Sequence, residues 1–134
     1  AKKEAGGEVP RGEETILVVE DNGTVRKLAI NILKMQGYTV LEAEAGGEAL
    51  LVCEQCKGRI DLILTDVVMP HMSGAQFIER LKQVRKDFKV LYMTGYSENA
   101  ITHHGLLEEG VHLIHKPFTI ERLAHKVREV LDKK

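Results

Sequence analysis

The sequence contains no apolar run near the roughly 20 residues that a membrane-spanning helix needs. It also has no basic-then-apolar leader at its start. Charge of one sign is missing as well: 19 Lys and Arg stand against 20 Asp and Glu, a formal net charge of −1. Nothing in that balance points to nucleic acid or to an anionic membrane surface, and a cytosolic location is expected. Cysteine is scarce, with Cys53 and Cys56 forming one C-x-x-C. Zinc would want a second pair at comparable spacing, which the sequence does not have. A redox pair would want an exposed helix start, whereas this stretch reads as helix. We read both as reduced, structural cysteines.

What is present is ordinary globular material. Apolar residues make up 43% and charged residues 29% of 134 positions, enough to bury one core without metal or disulfide staples. Ala1–Glu14 is rich in Gly, Lys and Glu and carries Pro10. It cannot bury enough apolar surface to order itself and is expected to be a flexible tether, residues 1–14. Residues 15–134 form the expected folded domain. A chain that opens on Ala1 reads as a piece of something longer.

From Thr15 two periods alternate. Short β-branched runs occupy Thr15–Val19, Tyr38–Leu41, Ile60–Leu64, Val90–Met93 and Val111–His115. Helical spacing occupies five stretches between and after them. Val25, Leu28, Ala29, Ile32 and Leu33 mark the first, which Gly37 stops. Ala49, Leu50 and Cys53 mark the second, and Phe77, Ile78, Leu81 and Val84 the third. The fourth, Glu98–Glu109, carries Ile101, Leu106 and Leu107. Leu123, Val127, Val130 and Leu131 mark the last, with Thr119 as N-cap and Phe118 and Leu123 as a hydrophobic staple. Five βα alternations imply a doubly wound parallel sheet covered on both faces. The third and fourth strands are almost continuously apolar, as central strands should be. The expected strand order is 2-1-3-4-5, with a topological switch between strands 1 and 3.

Ligands of such sheets bind beyond the carboxyl ends of the strands, at that switch. Strand 1 runs into Glu20 and Asp21, strand 3 into Asp66, strand 4 into Thr94-Gly95 and strand 5 into Lys116-Pro117. Three carboxylates, a hydroxyl and an ammonium thus converge on one rim. Clustered carboxylates repel unless a cation sits among them, and Mg²⁺ suits hard oxygens while accepting phosphate oxygens. One carboxylate could then act as a nucleophile toward a phosphoryl group. Metal, lysine and hydroxyl would stabilise the transferring oxygens.

Leu17-Val-Val-Glu-Asp21, Asp61-Leu-Ile-Leu-Thr-Asp-Val-Val-Met-Pro70, Ser73-Gly74, Met93-Thr-Gly95 and His115-Lys-Pro-Phe118 together resemble response-regulator receiver domains of two-component signalling. The resemblance covers about Glu14 to Leu131 and implies a flavodoxin-like (βα)5 fold. It implies that Asp66 accepts a phosphoryl group from a histidine-kinase phosphohistidine. It further implies that Glu20, Asp21, Asp66 and the backbone carbonyl of Val68 hold Mg²⁺, that Thr94 is the switch hydroxyl, and that Lys116 pairs with Asp66. The Lys116–Pro117 bond is expected to be cis. The run from Leu91 to Ser97, the segment from His104 to Val111 and the Lys-Pro-Phe motif are most similar to receivers at the C-terminus of hybrid sensor histidine kinases. A free-standing regulator is the alternative. The partner would be a histidine kinase or phosphotransfer domain, within the same parent chain or separate from it, with no nucleic acid and no membrane engaged by this segment. Such a domain is not an enzyme on its own account: it promotes its own phosphorylation and dephosphorylation.

Other polar residues read as structural. Asp61 sits at the start of strand 3, far from the rim. His103 and His104 are adjacent and point about 100° apart on a helix, which suits surface residues better than shared metal ligands. Two departures from the family pattern stand out. Leu113 occupies the place, three before the lysine, where receivers often carry an aromatic residue, so the usual coupling of threonine to aromatic is not expected. Val68 and Tyr96, two residues after Asp66 and Thr94, carry no acid or amide to orient water, so slow intrinsic dephosphorylation is expected. A docking-only receiver would have lost an acid, the phosphoacceptor or the lysine, and none is lost here. A phosphohydrolase with an aspartyl nucleophile would want an acid at the place of Val68 and room for a cap domain. No DNA-reading segment follows the domain within this sequence, so output is expected through protein contacts.

Overall fold

The computed structural model describes residues 9–95 and 111–133. Its elements are β1 (Thr15–Val19), α1 (Gly23–Met35), β2 (Thr39–Ala43), α2 (Gly46–Gln55), β3 (Leu62–Asp66), α3 (Gly74–Leu81), β4 (Lys89–Thr94), β5 (Leu113–His115) and α4 (Ile120–Asp132). The five strands form one parallel sheet in the order β2-β1-β3-β4-β5. This is the expected flavodoxin-like architecture, with β1 and β3 side by side at the switch. The expected helical stretch Glu98–Glu109 with Ile101, Leu106 and Leu107, the pair His103–His104 and Tyr96 lie outside the described residues.

Period-2 alternation sends neighbouring strand residues to opposite faces. Ile16 and Val18 of β1 join Leu62, Leu64, Leu91 and Met93 in a core closed by α1 and α4. Leu17 and Val19 join Ile63, Phe77, Ile78 and Leu81 in a second core closed by α2 and α3. All five residues of β3 are buried, which is why that strand reads as a continuous apolar run.

Local signals set the helix ends. Asn22 caps α1, its side chain accepting from the Val25 N–H, and Gly37 follows at φ +100, where a side chain would be strained. Ser73 and Gln76 form a reciprocal capping box on α3. Thr119 accepts from the Arg122 N–H at the start of α4, and Phe118 and Leu123 share a core as the staple requires. Arg85 closes the far end of α2, donating to the carbonyls of Cys53 (2.9 Å) and Gly58 (3.1 Å). Cys53 is buried and Cys56 half-buried, and both are free thiols.

Several sequence expectations shift. β3 begins at Leu62, two residues later than expected; Asp61 just before it donates its N–H to the Thr15 carbonyl at 2.8 Å, accepts from the Lys89 N–H at 2.9 Å through its carbonyl, and accepts from the Thr15 N–H at 2.9 Å through its carboxylate. Asp66 is the last residue of the strand. Leu28 is 44% exposed, and Ile30 is buried in the expected stripe instead. Val84 is 71% exposed, since α3 stops at Leu81 and the stripe loses its helical direction.

Residues inside the stretch expected as a tether touch the domain. The Gly12 N–H donates to the Gln36 carbonyl at 2.9 Å, and the Thr39 N–H to the Glu14 carbonyl at 3.1 Å. Arg128 of α4 grips the Glu14 carboxylate through both nitrogens of its fork, at 2.6 and 3.1 Å. That fork holds the Glu14 carboxyl below its ordinary range and pushes Arg128 further up.

Candidate functional site

The first acidic residue follows β1 directly. Glu20 is fully buried, and its polar atoms are well supplied. Its N–H donates to the Ala43 carbonyl at 3.1 Å. Its Oε2 accepts from the Asn22 N–H at 3.0 Å, and its Oε1 from Lys116 Nζ at 3.0 Å. A buried carboxylate held this way has its charge answered. Asp21, the next residue, is exposed. Its carboxyl is pushed up from its ordinary value by burial against the rim and then by the neighbouring Glu20 carboxylate.

Asp66 comes from the strand beside β1 and is 6% exposed. Lys116 Nζ lies 3.0 Å from Asp66 Oδ2, so one ammonium bridges Asp66 and Glu20. Burial alone would lower Lys116; its hydrogen bonds with Glu20 and Asp66 outweigh that and hold it above its ordinary value. Lys116 is placed by β5: its N–H donates to the Thr94 carbonyl at 2.8 Å, and the following Lys116–Pro117 bond is cis. Thr94 is fully buried at the end of β4, one residue past the partner of Asp66 in the ladder. A side chain on the next residue, Gly95, would meet nothing within 4 Å among the described residues.

The loop after β3 is built tightly around the strand end. A Cβ on Gly74 would come within 2.2 Å of the Asp66 carbonyl oxygen, and the Gly74 N–H donates to the Val67 carbonyl at 2.9 Å. The Ser73-Gly74 pair thus serves two ends at once, capping α3 and letting it approach the end of β3. Val68 sits in this loop with 41% of its surface exposed. Leu113 opens β5 and packs partly against the core under α2 and α3.

One oxygen from each of Glu20, Asp21 and Asp66 falls within 4.8 Å of the others. Among the described residues, the ammonium of Lys116 stands against three carboxylates, an imbalance that a hard divalent cation would relieve through oxygen ligands. The donor set therefore fits such an ion. The structure brings Glu20, Asp21, Asp66 and Lys116 together, places Thr94 on the adjacent strand end and Val68 on the adjoining loop, and leaves Asp61 at the opposite end of the sheet, paired with Arg59 at 2.8 Å. Two contributors escaped the sequence reading. Asn22 carried a signal, an N-cap residue directly before a helical run. Arg26, which donates to the Glu20 carbonyl at 2.9 Å, carried none.

Comparison with known proteins agrees with this geometry. The sequence model described as "Response regulator receiver domain" matches residues 16–128. The chain belongs to the response-regulator receiver family. It is a phosphoacceptor domain of the phosphorelay kind, and its relatives include both parts of large kinases and small single-domain proteins. It is 37% identical over 122 residues to the sensor kinase CckA of Brucella abortus, a match that takes in 91% of this chain and 13% of that protein. It is 30% identical over 118 residues to the sporulation initiation phosphotransferase F of Bacillus subtilis, covering 88% of this chain and 94% of the relative. The crystal structure of the receiver domain from the hybrid histidine kinase CckA superposes with a TM-score of 0.74 at 36% identity, over 88% of this chain and 99% of that one. The chain thus spans about an eighth of the larger relative and nearly all of the smaller. Among the described residues no helix is long and apolar enough to cross a membrane.

Proposed function

We propose that Asp66 is the phosphoacceptor and that Glu20, Asp21, Asp66 and the Val68 carbonyl hold Mg²⁺. The observation that carries this reading is the single Lys116 ammonium bridging two buried carboxylates, with the exposed Asp21 alongside. In the transfer, an Asp66 carboxylate oxygen forms a bond to phosphorus while the P–N bond of a phosphohistidine breaks, and the imidazole leaves with the electron pair. Mg²⁺ supplies charge neutralisation on the transferring oxygens. Lys116 is held ready to pair with the product phosphoryl group, since its Asp66 contact is already made. Thr94, buried at the next strand end, supplies the hydroxyl that turns toward the phosphoryl oxygens. The donor is a histidine kinase or phosphotransfer domain in the cytoplasm. The likeness to CckA supports a hybrid-kinase parent, with residues 1–14 as the connecting segment, its end at Gly12 and Glu14 bonded to the domain, and 15–134 as the switching unit.

Intact mass after incubation with acetyl phosphate tests the assignment. A gain of one phosphoryl group that needs Mg²⁺ and vanishes in Asp66→Asn is expected. A gain that persists in Asp66→Asn would reject the named nucleophile. The same assay, followed over time after the donor is removed, reads the lifetime. Val68 offers no carboxylate or amide to orient water, so the adduct should persist for minutes or longer in Mg²⁺. Loss within seconds would sink that reading.

A further inference from the structure

The polar atoms of Glu20 are each held by something, and one holder is not part of the rim. Arg26 lies on the first turn and a half of α1, with its side chain only 12% exposed. Its Nη1 donates to the Glu20 carbonyl oxygen at 2.9 Å. Its Nε donates to Glu42 Oε1 at 3.2 Å, and Glu44 Oε1 stands 3.8 Å from Nη1. The guanidinium therefore spans from the end of β1 to the end of β2, anchored on acids that are themselves largely exposed. A planar fork is suited to that task, because its donors keep fixed relative directions.

The carbonyl it grips matters for the residue that follows. The Glu20 carbonyl and the Asp21 N–H share one rigid peptide plane. Holding that oxygen restrains the plane, and with it the N–Cα axis about which the Asp21 side chain turns. On the other side the Glu20 N–H is tied to the Ala43 carbonyl at 3.1 Å. Glu20 is thus clamped by its neighbours on all sides, while exposed Asp21 depends on the plane that Arg26 holds. We propose that Arg26 is a positioning residue for the cation site, aiming Asp21 by gripping the Glu20–Asp21 peptide. This rests on the reading that the acidic trio holds Mg²⁺.

The proposal makes an electrostatically counter-intuitive claim. Arg26 is a cation near a cation site, so its charge alone disfavours Mg²⁺, and deleting it should tighten binding if charge decides. Positioning predicts the reverse. Residues that orient metal ligands typically cost about 10- to 100-fold in metal affinity when removed. Arg26 acts one peptide away from the ligand, so the lower end of that range, about tenfold, is expected.

The test is Mg²⁺ titration by calorimetry, without phosphodonor, on the full chain and on Arg26→Met and Arg26→Lys. Urea unfolding of each would establish that it is folded at the titration temperature. Weaker binding by about tenfold in Arg26→Met, and by a smaller factor in Arg26→Lys, supports positioning, since lysine keeps the charge but cannot bridge both anchors. Tighter binding in Arg26→Met with wild-type binding in Arg26→Lys would overturn it in favour of charge alone. Lower unfolding midpoints with unchanged Mg²⁺ affinity would overturn it in favour of a purely structural strut. Should Arg26→Met not fold, wild-type affinity in Arg26→Lys would still overturn it. Absence of Mg²⁺ binding by the wild-type chain would instead reject the metal reading, and the proposal with it.

Discussion

Replacing Asp21 by Asn should make the domain more stable without a divalent cation and less stable with one. One oxygen from each of Glu20, Asp21 and Asp66 lies within 4.8 Å of the others; at that distance two like charges repel by about 0.9 kcal/mol in water and about 3.5 kcal/mol at an effective dielectric of ~20. Asp21 is exposed, so the watery end applies, about 1 kcal/mol from each of two neighbours. Attraction to Lys116 offsets one of them, leaving a net cost of about 1 kcal/mol for an ionised Asp21. The raised carboxyl agrees in sign. A carboxyl whose folded-state pKa lies above its ordinary 3.8 costs nothing while protonated. The cost grows as pH rises through the folded value and is complete at neutral pH. Urea unfolding at pH 7 in EDTA should therefore show Asp21→Asn about 1 kcal/mol more stable than wild type, with an unchanged m-value. With Mg²⁺ at a hundred times its Kd, and ionic strength matched by NaCl, wild type should gain about 2.7 kcal/mol. The variant, short of one ligand, should gain much less, so the order of stability reverses. Equal or lower stability of Asp21→Asn in EDTA would refute the repulsion argument. An equal response of both proteins to Mg²⁺ would refute the place of Asp21 in the cation site.

Other perturbations probe the scaffold. Gly74→Ala places a Cβ 2.2 Å from the Asp66 carbonyl, a backbone atom that can yield only by moving the strand end, so a loss of about 1–3 kcal/mol is expected. Slower phosphorylation by acetyl phosphate should accompany it, and a wild-type rate would show that the strand end absorbs the shift harmlessly. Glu14→Gln removes the carboxylate that Arg128 grips and should cost about 1 kcal/mol at neutral pH, given that both groups are partly exposed. Because the Glu14 carboxyl is lowered from 4.5, its contribution is present above that value and lost as pH falls through the lower folded one. The two unfolding curves should therefore converge in acid; a gap that stays constant with pH would mean that the charge of Glu14 is not what holds the segment.

Much of the site was legible because its residues sit at strand ends, and strand ends are readable from where β-branched runs stop. Glu20, Asp21, Asp66, Thr94 and Lys116 each follow or close such a run. Parallel topology then brings residues separated by up to 96 positions, as Glu20 and Lys116 are, to one rim. Asp61 was separable from Asp66 for the same reason: it precedes the run that Asp66 ends. Boundaries were less legible where side chains compete with the ladder. Just before β3 the Asp61 carboxylate takes the Thr15 N–H, and the periodicity of apolar residues contains no trace of that bond. Val84 continues the spacing of α3 in sequence but not in space, because the helix has already ended.

Alternation of period by itself determined the fold class, the strand order expected of it and the side of the sheet on which the chemistry falls. These depend on the local rule that apolar residues face inward at a period of 2 or 3.6. Only the tertiary structure decided how the acids are held. That one Lys116 nitrogen meets two carboxylates, that Gly74 must lack a side chain because Asp66 lies above it, and that Arg26 ties the ends of β1 and β2 together are facts about distances between segments remote in sequence. No local pattern encodes them, since hydrogen bonds between elements leave no period in the chain that makes them.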